Sequence, residues 1–141
     1  MMFGQDRHQL RRFYYQIWTK MQHNQKLDGL EAMIAQVIHD HPEYQSIFNN
    51  ETNLDQDYFV EDGQTNPFLH MGLHIAIHEQ ISTDRPVGIR NIYQKLQYKY
   101  SNPHHAKHAM MECLTESLWL AQRNNQPPDD TEYLSALKKL L

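Results

Sequence analysis

Apolar residues recur along this 141-residue chain at spacings of three and four, the period of helices that each bury one face. Leu10, Phe13, Tyr14, Ile17, Trp18 and Met21 make a first run, and Leu30, Met33, Ile34, Val37 and Ile38 a second. Pro42 disfavours helical geometry at His41, so the second helix is predicted to end near Asp40, with a short turn at 44–48 after it. From 49 to 65 the period stops and Asn, Asp and Gly dominate, which predicts a long surface loop. Helical spacing then resumes at 67–81, at 87–100 (Ile89, Ile92, Tyr93, Leu96, Tyr100), at 103–123 and at 131–141.

The polar residues in front of these runs carry start signals. Asp6/Gln9, Asp28/Glu31 and Asp129/Glu132 fit the capping box, in which a first side chain accepts from a backbone N–H and a Glu or Gln three residues on reaches back. Asn66-Pro67 and Asn102-Pro103 place an N-cap before a proline whose missing N–H costs nothing at the first helical position. With 5 Gly, 6 Pro and few Val, the composition favours helix over sheet. The expected architecture is all-α, a single helical domain over residues 1–141 built as a bundle of five or six helices, with more than half of the residues helical and no sheet of three or more strands.

Charge and cysteine usage narrow the function classes. There are 13 Lys and Arg against 17 Asp and Glu, a net charge of −4, so no positive field is available to hold a phosphate polymer or an anionic lipid surface. No apolar run approaches the roughly 20 residues needed to span a bilayer. The start MMFGQDRHQLRR is charged where a secretion signal would be apolar, and Cys113 is the only cysteine, so a reducing cytoplasm is the expected compartment. The expected partners exclude nucleic acid and membrane and leave a protein partner or a second copy of the chain. Arg85, Arg90, Lys95 and Lys99, with Tyr93, Tyr98 and Tyr100, read as a solvated helix face. Cys113 lies among apolar neighbours and reads as a buried structural thiol. No phosphate loop, nucleophile elbow or Cys-x-x-Cys is present, so no catalytic residue is assigned.

Ten histidines remain as the chemical lead. His70, His74 and His78 recur every four residues, a stripe along one face of the third long helix flanked by Met71, Ile75, Ile77 and Ile81. That face is apolar, so the imidazoles are expected to point inward, and buried imidazoles need partners. Two answers stay open: a metal ion, for which an i, i+4 histidine pair is a suitable chelate, and a hydrogen-bonded network. A second constellation in HHAKHAMMECLTES puts His105, His108 and Glu112 on one face, and Trp119 on that same face favours its burial. A third group, HDHPEY, offers His41 and Glu43, while His39 suits the negative end of a helix dipole. His8, His23 and His104 read as solvated positions near helix ends.

With these residues laid out, the chain resembles a bacterial family, the domain of unknown function 1841. The resemblance is carried by FGQDR at 3–7, HPEY at 41–44, GQTNPFLHMGLHIAIHEQ at 63–80, DRPVGIR at 84–90 and HAMMECL at 108–114, nearly the whole chain in order. It implies a small bacterial protein and brings no established activity. Its motif-rich stretches coincide with His41 and Glu43, His70 and His74, and His108 and Glu112, while His78 is less typical of the motif. The leading expectation is a metal-binding protein or metal-dependent enzyme with His70, His74, His108 and Glu112 as ligands. His41, Glu43, His78 and His105 are additional candidates, and Glu43 or Glu79 would orient imidazoles from behind. Zinc or another borderline divalent transition metal suits these donors, and no other cofactor is called for. The alternative is a non-catalytic protein–protein interaction module with a buried histidine hydrogen-bond network.

Overall fold

The computed structural model describes residues 3–50, 53 and 66–141, with side chains from His8 onward. Six α-helices span Phe3–Gln22 (α1), Gly29–His39 (α2), Pro67–Thr83 (α3), Ile89–Tyr100 (α4), Pro103–Arg123 (α5) and Asp130–Lys139 (α6). One 3-10 helix, Pro42–Asn49, stands where the short turn was expected. The described residues contain no strand, so the fold is all-α. The loop expected at 49–65 lies almost wholly outside the described residues.

Four of the five start signals hold. The Asp28 side chain accepts from the Glu31 N–H at 2.8 Å and Glu31 reaches back to the Asp28 N–H at 3.1 Å, a complete capping box. Asn66 accepts from the N–H groups of Phe68 and Leu69, Asn102 from those of His104 and His105, and Asp129 from those of Thr131 and Glu132. The fifth is corrected: α1 already begins at Phe3, so Asp6 sits inside the helix, and its side chain lies outside the described residues. The fourth helix starts at Ile89 and not near Val87, because Gly88 holds a left-handed φ of 100°.

The chain forms two compact units, Met1–Gly72 and Leu73–Leu141. In the first, Tyr14, Ile17, Ile34, Ile38, Phe48, Phe68 and Met71 are buried. Asn24 in the left-handed region ends α1, and the Gln25 N–H bonds back to the Lys20 carbonyl at 2.9 Å. The ammonium of that same Lys20 pairs with Glu31, tying α1 to α2. Phe68 packs against Tyr14 and Phe48, with ring centroids 5.8 and 6.1 Å apart, and the Arg11 guanidinium lies 4.7 Å from the Phe68 centroid. Arg11 is only 2% exposed, the largest buried charged side chain among the described residues of this unit. Burial pushes the Tyr14 phenol up to about 12.

In the second unit, Ile77 of α3, Ile89, Ile92 and Leu96 of α4, Met110 and Leu114 of α5, and Tyr133 and Leu137 of α6 share one core. The Tyr133 hydroxyl donates to the Gln80 side chain at 2.7 Å, which satisfies the one polar atom this ring brings inside. The connection from α3 to α4 is held from both ends. Asp84 accepts from the N–H groups of Gly88 and Arg90, capping the start of α4, while the Arg90 guanidinium donates to the carbonyls of Ile81 and Ser82 at the end of α3. DRPVGIR is therefore a helix-to-helix clasp.

Candidate functional site

Pro103 opens α5, and the Asn102 cap fixes its first turn, so His104 and His108 fall one helical turn apart on one side of that helix. Opposite them in the second unit stands His74 of α3. His74 Nε2 and His108 Nε2 are 3.0 Å apart. The His104 ring centroid is 4.1 Å from that of His108 and 5.4 Å from that of His74, to which it lies nearly parallel at 21°. One ring nitrogen from each of the three lies within 4.8 Å of the other two. His74 is buried, His108 half-buried and His104 exposed. The donors are all imidazole, and Glu112 is not among them.

Within the second unit, the expected ligands that come together are therefore His74 and His108. His70 belongs to the first unit, where its ring packs edge-on against His41 and Tyr44 with centroids 5.1 and 5.9 Å away. His41 is itself buried, stacked on Tyr44, with Nδ1 2.7 Å from the Val37 carbonyl, so it also completes the end of α2. Glu43, Glu79, His78 and His105 are exposed, which corrects the inward-facing stripe at its third member. The His78 imidazole is held below its ordinary value by partial burial and by the charge of Lys107. His39 is exposed in the last turn of α2 beside Asp40, the helix-end position read for it.

Glu112 is exposed too, and so is Trp119, the ring expected to bury that face. Trp119 is 55% exposed, with the Arg123 guanidinium 5.2 Å from its ring. A ring partly covered by its own helix's arginine does not require a second buried face. His104, read as merely solvated, is the member that was missed. The signal was present, since 104 and 108 repeat the spacing of 70 and 74, but a position in the first turn of a helix reads as exposed when each helix is considered alone. Cys113 is half-buried, not buried, and its thiol is pushed up by burial and by the nearby carboxylates of Glu116 and Glu112.

The sequence profile of the family described as Domain of unknown function (DUF1841) matches residues 6–139. The chain belongs to this family. No curated protein and no solved structure matches it. Membership in DUF1841 agrees with the resemblance read from the motifs, and both the clasp residues and the three imidazoles fall inside the matched span. Among the described residues, no helix is long and apolar enough to cross a membrane.

Proposed function

We propose that this DUF1841 protein binds one divalent metal ion, zinc or another borderline transition metal, through His74, His104 and His108. The convergence of three imidazole nitrogens carries the reading. Two nitrogens on one tetrahedral zinc at roughly 2.0–2.1 Å stand roughly 3.3 Å apart, close to the 3.0 Å between His74 and His108. A hydrogen bond between two neutral rings also fits that distance. It leaves the third ring unexplained, whereas a metal uses all three. The single cysteine suits a reducing compartment, and a cytoplasmic location is part of this reading.

The test is a zinc titration of chelator-treated protein by calorimetry, paired with thermal melts. We expect one ion per chain and a melting temperature that rises with metal, because a ligand at 100 times its dissociation constant stabilises by about 2.7 kcal/mol. Affinity should fall as pH is lowered, since protons compete for the nitrogens. His74→Ala and His108→Ala should abolish the heat, and exposed His39→Ala should not. Metal-free protein with no heat and an unchanged melt would favour the second reading, an interaction module whose His74–His108 contact is a hydrogen bond only.

A further inference from the structure

A cleft of about 690 Å³ opens between α5 and α6 in the second unit, within the range of roughly 300–1,000 Å³ typical of small-molecule sites. No histidine lines it. Leu120 and Ala121 of α5 and Ala136 and the Tyr133 ring of α6 supply apolar wall, and the carboxylates of Glu116 and Glu132 face it from the two helices. Neither carboxylate forms an ion pair among the described residues. Asp129 also lines the cleft, but its charge is engaged with the first N–H groups of α6. The one lining cation, Lys139, sits seven residues beyond Glu132, about 10 Å along the helix axis, and forms no ion pair with it among the described residues.

We propose that this cleft binds a small organic cation, an amine carried on an apolar body, with Glu116 and Glu132 receiving the charge and the α5/α6 wall receiving the body. The apolar wall selects against a bare inorganic cation, and two carboxylates without ion-pair partners select against an anion. The site is separate from the three imidazoles, so the test is run in chelator.

Cys113 is the only thiol, so its alkylation by iodoacetamide reads occupancy of the cleft directly. The probe is 2-phenylethylamine, compared with 2-phenylethanol and 3-phenylpropionate. At twice the dissociation constant, mass action leaves about a third of the chains open, so the amine should slow alkylation about threefold. The alcohol and the acid should leave the rate unchanged at the same concentration. Protection should weaken with added salt, and the paired substitutions Glu116→Gln and Glu132→Gln should lower amine affinity about tenfold. Equal protection by all three compounds, protection by none, or protection only by a lysine-rich peptide would overturn the proposal. If the double variant does not fold, the comparison of amine with alcohol on the unaltered protein still decides.

Discussion

His74 differs from its two neighbours in the histidine row because two periodicities cross at it. Steps of four residues turn a helix by about 40° each, so a row at 70, 74 and 78 drifts around the helix by about 80°. The buried line of α3 advances instead by threes, through Phe68, Met71, His74 and Ile77. His74 is the one histidine on both, and it is 6% exposed while His78 faces water. In chelator, His74→Ala should lower stability by about 1–3 kcal/mol, because it opens a hole and removes the partner at 3.0 Å from His108. His39→Ala, at an exposed helix end, should stay within about 0.5 kcal/mol. Urea melts of the two variants check the contrast. Equal, negligible effects would remove the argument that the His74 imidazole is held by its surroundings.

Among elements, the connection from α3 to α4 has the most specific local chemistry. Directly after α3 ends at Thr83, Asp84 with φ of 51° turns the chain, and its side chain supplies the N-terminal bonds that Gly88, having no side chain, cannot. Arg90 then donates to two carbonyls in the last turn of α3, those of Ile81 and Ser82. Arg90→Ala should cost about 1 kcal/mol, below the usual range for charge-assisted bonds because the guanidinium is exposed. Arg90→Lys should recover little of it, since a point ammonium does not span two carbonyls as a planar fork does. Thermal melts and amide exchange at the end of α3 check this, and full rescue by Lys would refute the two-carbonyl account. The same reasoning explains which helix boundaries were legible. Caps at Asp28, Asn66, Asn102 and Asp129 are contacts within three residues, so sequence order nearly determines them. The start of α1 was misplaced because a helix can run through a capping-type pair.

For the whole molecule, the net charge of −4 and the engagement of its cations argue together against nucleic acid. Arg90 is committed to backbone carbonyls, Lys99 donates to the Leu140 carbonyl at 2.6 Å, and Lys107 lies over the Tyr93 ring. A phosphate backbone would have to displace these contacts to recruit Arg90, Lys99 or Lys107. We expect no salt-dependent shift with a generic duplex or single strand near physiological ionic strength, measured by fluorescence anisotropy. A micromolar affinity falling steeply with salt would contradict it. What the sequence by itself determined is therefore the local layer: the all-α class, most helix bounds, the caps, and the outward or inward direction of residues on strongly amphipathic helices such as α4. Each follows from chain geometry over a few residues. Which histidines meet was decided only by tertiary packing. A helical wheel gives a side chain's direction about its own axis and not the element opposite, so it could not bring His104 to His74, 30 positions away, or assign His70 to Tyr44 and His41.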